Sequence, residues 1–285
     1  MDRLISYNDK IVEAGSTSVT ATNGGLLYGL GVFTNLRIYD FEPFAFTYHW
    51  ERLAANAGRL GIKLPMDSST AEGLLRALIS ANRRQEGRAR VTLLGNSVGF
   101  WRPEGDRDSD LLIFSAPEPP RSIGDLAITI SPYRLLSTSV LAGVKQTAML
   151  EHLIAFEEAR SRGFGEAVML NERGEIVSGT AANIFWVEAD EIFTPSPSTG
   201  CVPGITRRIV HEIASKWNLH VVEGSFPVAR LLAAREAFLT STTREISIVR
   251  SFDAKEYSLK AARIARLLER QFRQLVYPKA GQALK

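Results

Sequence analysis

The order of apolar and polar residues changes period several times along this chain, and each change marks an element. Residues 4–7 and 10–13 are short strand-like runs on either side of Asn8-Asp9, a pair suited to a hairpin turn. Val32 to Phe46 reads as further strand, aromatic and β-branched, interrupted at Asp40 and Pro43. From Tyr48 to Leu60 the period lengthens, so that Trp50, Leu53, Ala54, Ala57 and Leu60 share one helical face. Thr70 to Asn82 repeats this with Leu74, Leu75, Leu78 and Ile79. Val91 to Leu94 and Leu111 to Phe114 read as buried strands around a polar loop at 101–110. Three prolines then fall within four residues, at Pro117, Pro119 and Pro120. They remove backbone donors and fix the chain, which predicts a linker over 116–123. It divides a smaller N-terminal domain, 1–115, from a larger C-terminal one, 124–285.

The second half opens with a strand at Leu126 to Ile130 and a helix from Leu150 to Ser161 that Gly163 stops. Strands at Ala167 to Asn171 and Glu175 to Val177 flank a Glu172-Arg173-Gly174 turn, and Asn183 to Val187 forms another. A helix follows from Ile205 to Trp217, then a strand from Ala237 to Ser241 and an amphipathic helix from Leu259 to Leu275. Strand-rich halves with peripheral helices predict two α+β domains. There is no G-x-G-x-x-G between a strand and a helix, which argues against a dinucleotide-binding layout.

Composition narrows the classes. A chain of 285 residues is long enough for two compact domains. No run approaches the roughly 20 apolar residues of a membrane span, and the N-terminus does not read as a secretory signal, so a cytoplasmic protein with no membrane role is expected. Cys201 is the only cysteine, so neither an intrachain disulfide nor a metal site is expected. A net charge of +3 without a basic block gives no reason to expect nucleic acid as a partner.

Lys145 stands out chemically. It is the only charged residue from Leu135 to Leu150, in an apolar and hydroxyl-bearing stretch. Burial of an ammonium group lowers its pKa and favours the neutral, nucleophilic amine that Schiff-base chemistry requires. The plainer alternative is a lysine that snorkels to water. Pro203-Gly204-Ile205-Thr206-Arg207 precedes an apolar-periodic helix, where the exposed N–H groups of Ile205 and Thr206 suit an anion, or simply lead a loop into a helix. Leu239 to Thr243 places hydroxyls just after a strand, as a phosphate cup or a turn cap. Arg52, in His49-Trp50-Glu51-Arg52-Leu53, is either a forked phosphate ligand or a solvated helix residue.

Taken together and in order, these segments resemble the fold-type IV pyridoxal-5′-phosphate (PLP) enzymes, the class-IV aminotransferase family. The resemblance runs from Asn8 to about Val249 and includes Tyr28-Gly29-Leu30-Gly31-Val32-Phe33, His49 to Leu53, the Lys145 segment, Gly179 to Phe185, Pro203 to Arg207 and Phe238 to Glu245. It implies the two-domain, D-amino acid aminotransferase-like fold with the cofactor between the domains, and a homodimer. It also implies that Lys145 carries PLP as a Schiff base while Arg52, Ile205, Thr206 and Thr242 hold the phosphate.

Within the family, Leu141 to Lys145 with Leu150-Glu151, and Ala181 to Trp186, resemble aminodeoxychorismate lyase. Thr34 stands where aminotransferases usually carry Glu, and Leu150 where branched-chain aminotransferases carry a tyrosine. Ser178 stands where the family usually has the Glu that keeps the pyridine nitrogen protonated. Glu175, three positions away on a strand, points to the opposite face unless a bulge intervenes. A hydroxyl stabilises pyridinium less than a carboxylate does. The expected activity is therefore conversion of 4-amino-4-deoxychorismate to 4-aminobenzoate and pyruvate, because aromatisation supplies driving force that the cofactor need not. Lys145 would move the protons, and Thr34 and Arg37 would face this small amino substrate, Thr34 with a catalytic part. The alternatives are a branched-chain or D-amino acid aminotransferase, and a non-catalytic descendant that keeps the PLP fold.

Overall fold

The computed structural model describes residues 1–96, 108–118 and 126–277. Most of the polar loop expected at 101–110 and of the linker expected at 116–123 lies outside them. The chain divides into two compact units, Met1–Pro120 with Val144–Ala148, and Arg121–Gly143 with Met149–Lys285.

In the first unit the strands are β1 (Leu4–Tyr7), β2 (Lys10–Glu13), β3 (Gly31–Tyr39), β4 (Glu42–Pro43), β5 (Gly87–Gly95) and β6 (Ser109–Ala116). They form one antiparallel sheet in the order β2-β1-β6-β5-β3-β4. Its helices are a short α1 (Gly24–Tyr28), α2 (Phe46–Arg59) and α3 (Ser68–Ala81). The apolar stripes expected on the two longer helices become the core: Trp50, Leu53 and Ala57 of α2 and Leu75, Leu78 and Ile79 of α3 pack with Val32, Leu36 and Ile38 of β3. Asp67 starts α3 by accepting a hydrogen bond from the Thr70 amide at 2.8 Å, which satisfies a donor the helix cannot.

β3 is buried on both faces. Alternation sends Val32, Thr34, Leu36 and Ile38 towards the helices, and Phe33, Asn35, Arg37 and Tyr39 the other way. β5 covers one edge of β3 along its length, from Gly31 opposite Leu94 to Ile38 opposite Gly87. The other edge is shared: β4 pairs with Ile38 and Tyr39, and Gln146 bridges Val32.

The second unit contains β7 (Leu126–Leu135), α4 (Leu150–Ser161), β8 (Glu166–Asn171), β9 (Ile176–Gly179), β10 (Asn183–Glu188), β11 (Glu191–Pro195), α5 (Ile205–Lys216), β12 (Val221–Gly224), α6 (Val228–Ala233), β13 (Glu236–Ser241), β14 (Glu245–Phe252), β15 (Lys255–Glu256) and α7 (Arg263–Val276). The sheet order is β12-β11-β10-β13-β14-β7-β8-β9, with β15 beside β14. Trp186, Ile184, Leu239, Val168 and Val249 form its core with Phe226 and Leu231. α7 begins later than expected, where the Glu236 carboxylate accepts from the amides of Arg263, Ile264 and Ala265 at 3.0, 3.3 and 2.9 Å. A carboxylate on these amides also complements the positive end of the helix dipole. No helix among the described residues is long and apolar enough to cross a membrane.

Candidate active site

Lys145 sits on the first unit's sheet, although the chain on both sides of Val144–Ala148 belongs to the second unit. The expectation that it belongs with residues 124–285 thus meets a different arrangement, and the backbone explains it. The Phe33 amide donates to the Lys145 carbonyl at 3.0 Å, and the Thr147 amide donates to the Gly31 carbonyl at 2.9 Å. The Thr147 hydroxyl donates to the Gly29 carbonyl at 2.9 Å. The segment therefore extends the open edge of β3. Two glycines of the Tyr28-to-Phe33 motif allow it to approach. Gly29 has φ +66°, and a Cβ there would lie 2.7 Å from the Cβ of Ala148. A Cβ on Gly31 would lie 2.7 Å from the Leu93 carbonyl oxygen and 2.9 Å from the Thr147 hydroxyl.

This seat fixes the lysine's electrostatics. Its Nζ lies 4.6 Å from the centre of the Phe33 ring, and the Arg90 guanidinium carbon lies 3.6 Å from the same centre. Burial, followed by the charges of Arg52 and Arg90, pushes the Lys145 amine down to about 8. Among the described residues no carboxylate contributes to that shift. At neutral pH about a tenth of such an amine is in the nucleophilic form, some two orders of magnitude more than for an ordinary lysine. Capture of a simple aldehyde such as pyridoxal by cofactor-free protein should therefore rise about tenfold per pH unit below pH 8 and level off above it. Arg90→Gln should move the plateau to higher pH, because it removes a positive charge that favours the neutral amine. A wild-type midpoint near that of free lysine would contradict this environment.

Arg52 and Thr34 lie on the helix-facing side of β3. The Arg52 Nη2 donates to the Thr34 hydroxyl at 2.9 Å, and that hydroxyl is 2.6 Å from the Nδ1 of His49. Burial lowers the pKa of Arg52 to about 10. Arg37, three residues along β3, points to the opposite face. It is buried, with Nη1 3.3 Å from Glu118 Oε1 and its guanidinium 5.1 Å from the centre of the Tyr39 ring. Thr34 and Arg37 are therefore not brought together.

The second unit gathers the other expected residues. α5 starts at Gly204, which supplies no side-chain cap, and Ile205 and Thr206 are buried at its first turn. Gly204 is required here, because a Cβ would come within 2.1 Å of the Asn183 side-chain oxygen. Asn183 in turn pairs across the sheet with Thr240, whose buried hydroxyl has no hydrogen-bond partner among the described residues. Thr242 follows two residues later, half-buried, in a turn where the Ser241 hydroxyl accepts from the Arg244 amide at 3.1 Å. An uncapped helix start beside a buried, unused hydroxyl is a donor set suited to a phosphate.

Ser178 is 8% exposed, and its hydroxyl donates to the Gly179 carbonyl at 2.7 Å. The three carboxylates of the β8–β9 hairpin region are engaged elsewhere, Glu172 with Ser137 and Arg173. Glu175 accepts from Asn171 at 2.8 Å and from Arg173 at 2.6 Å. Glu166 is fully buried, accepts from the amide and hydroxyl of Thr180, and faces Arg244 at 3.4 Å.

Three contributors had no role assigned from the sequence: Phe33 and His49, which appeared only as motif residues, and Arg90. His49 had a signal, since it lies one helical turn before Arg52. Arg90 had none, because strand alternation does not show which residue stands across the ladder.

A buried lysine amine whose pKa is lowered by burial and neighbouring cations, in a chain of this fold, marks a PLP-dependent enzyme of the fold-type IV class. The chain belongs to the class IV amino-transferase family, whose family model matches residues 31–252. It is 26% identical over 288 residues to the aminodeoxychorismate lyase of Bacillus subtilis, covering 98% of both chains. It is 27% identical over 258 residues to the D-alanine aminotransferase of Listeria innocua, covering 87% of each. The solved branched-chain aminotransferase of Thermoproteus uzoniensis superposes with a TM-score of 0.92 at 25% identity, covering 100% of this chain and 98% of that one.

Proposed function

We propose that this protein is a lyase that converts 4-amino-4-deoxychorismate to 4-aminobenzoate and pyruvate, with PLP on Lys145. The observation that carries the reading is Ser178, whose hydroxyl proton is committed to the Gly179 carbonyl while the nearby carboxylates serve other partners. A hydroxyl in that place supports a weak electron sink. Transamination depends on that sink throughout, whereas loss of pyruvate from this substrate is driven by aromatisation of its ring. When bound, PLP would supply an electron-withdrawing system for the substrate's amine-bearing carbon. Lys145, with an amine near pKa 8, takes the proton from the amine-bearing ring carbon and returns one to the departing enolpyruvyl group, so that the ether bond breaks and pyruvate leaves. Arg52, Ile205, Thr206 and Thr242 take the phosphate. Arg37, paired with Glu118, remains a substrate-side candidate.

The second reading is an aminotransferase for branched-chain or D-amino acids, favoured by the breadth of the likeness to enzymes so named. The test incubates PLP-loaded protein with enzymatically generated aminodeoxychorismate and separately with L- and D-amino acids. Release of 4-aminobenzoate supports the lyase. Conversion of the cofactor to its pyridoxamine form by amino acids, without 4-aminobenzoate, overturns it.

Arg52→Ala should weaken PLP binding by about tenfold or more, as expected for a charge-assisted contact of about 1.5–3 kcal/mol, and change turnover little at saturating PLP. Equal affinity in the two proteins would return Arg52 to a structural role. A homodimer also belongs to this proposal. Leu150, Leu153 and Ile154 form an exposed apolar row on α4, 64%, 55% and 46% exposed, which a second copy would cover. Sedimentation velocity at micromolar concentration should give a dimer, and a monomer would refute this part.

A further inference from the structure

The hydrogen bonds around Thr34 have one consistent direction. An arginine can only donate, so the Thr34 oxygen accepts from Arg52 at 2.9 Å. The same oxygen is 2.6 Å from His49 Nδ1, and one proton must lie between them. If that proton belonged to His49, the threonine's own O–H would need a third partner. Thr34 is 2% exposed and makes no other side-chain hydrogen bond among the described residues. A buried hydroxyl with an unused proton costs about 1–3 kcal/mol. The arrangement that uses the threonine proton has Thr34 donating to Nδ1, which places the imidazole proton on Nε2.

We propose that Thr34 and His49 are positioning residues, a two-membered relay that aims the Arg52 guanidinium, rather than groups that meet substrate. The local structure supports this. Thr34 lies on the helix-facing side of β3, between the core positions Val32 and Leu36. His49 and Arg52 lie one turn apart on α2, so a single hydroxyl can reach both. His49 is 1% exposed, and burial together with the Arg52 charge holds its pKa well below the usual histidine value. The imidazole therefore stays neutral and keeps Nδ1 free to accept. The charged group that acts on the relay is Arg52, whose charge also bears on Lys145.

A hydroxyl suits this place for a physical reason. It orients Arg52 without neutralising it, so the guanidinium keeps its full charge both for an anion and for lowering the affinity of Lys145 for its proton. A carboxylate at position 34 would aim the arginine and cancel much of that field.

The test rests on the reading that Arg52 contacts the PLP phosphate, and its arms separate the two claims. Stripped protein is titrated with PLP and with pyridoxal, which lacks the phosphate. Thr34→Val should weaken PLP about tenfold and leave pyridoxal unchanged, with Thr34→Ser restoring most of the loss. His49→Leu should behave like Thr34→Val, and His49→Asn, which offers an acceptor oxygen near the place of Nδ1, should recover part of it. In an Arg52→Ala background, Thr34→Val should cost nothing further. An equal loss for PLP and pyridoxal, or the same loss with and without Arg52, overturns the relay. If Arg52→Ala itself leaves PLP affinity unchanged, the phosphate assignment fails, and the relay is then read from imidazole nitrogen NMR alone. The wild type should show His49 neutral with its proton on Nε2, and Thr34→Val should alter that signal. A proton on Nδ1 in the wild type overturns the relay.

Discussion

Lys145→Ala should leave a folded protein with no visible absorbance from lysine-bound cofactor and no turnover above background. Its fold should survive because the segment is held by main-chain bonds, from Phe33 to the Lys145 carbonyl and from Thr147 to Gly31. The side chain itself is a burden to the empty protein. Its pKa falls from 10.5 in a free lysine to about 8, so at neutral pH the folded state carries an ammonium less comfortably than the unfolded chain does. Because the unfolded state binds this proton more tightly, stability rises with pH between about 8 and 10.5, and the burden is greatest below 8. Cofactor-free Lys145→Ala should therefore melt no lower than wild type at pH 7, and its advantage should shrink as pH rises above 8. Loss of proton transfer alone is worth on the order of 10²–10⁴-fold in rate, before loss of the attachment point is counted. An unchanged absorbance in the variant would show that another lysine holds the cofactor.

Ser178→Glu is the second large expected effect. If Ser178 faces the ring nitrogen, a carboxylate there would hold a proton on it and strengthen the electron sink. A charge-assisted pairing of about 1.5–3 kcal/mol corresponds to roughly ten- to a hundredfold, which should appear as faster single-turnover formation of the pyridoxamine form with any accepted amino acid. Release of 4-aminobenzoate, driven by aromatisation, should change less. In the cofactor-free protein the new carboxylate is buried without a partner and should lower the melting temperature. PLP should restore it, because the protonated ring nitrogen then meets the charge. An unchanged transamination rate in a well-folded variant would mean that Ser178 is turned away from the ring or that the sink does not limit the enzyme.

Much of the scaffold was legible because its signals are local. The 3.6-residue stripes on α2 and α3 needed no partner to be recognised, and each became the core face expected of it. The hairpin at Asn8-Asp9 was equally plain. Other elements carry weak local signals. α1 is five residues long with two glycines and has no apolar stripe, and β11, β12 and β14 went unassigned. β12 lies at the sheet edge, where only its parallel pairing with β11 identifies it.

The site divides in the same way. An isolated lysine in an apolar stretch, an arginine in a helix and a glycine before a helix can all be read from the chain. The attachment of Lys145 to β3 cannot, because it depends on which edge of which strand is open. Glycines 29 and 31 show this best. In sequence they are part of a motif, and only the paired backbones show that they make room for Ala148 and Thr147. Thr34 is the converse. Its place on a strand with Arg37 invited a shared role towards substrate, yet alternation sends the two side chains to opposite faces.

The attachment of PLP to Lys145 is tested most directly by trapping. PLP-loaded protein is reduced with borohydride, digested and mapped by mass spectrometry. The expected result is one phosphopyridoxyl modification, on the peptide containing Gly143-Val144-Lys145-Gln146, with near-stoichiometric yield. Modification of a different lysine, or no stable modification in a protein that binds PLP, would contradict the account.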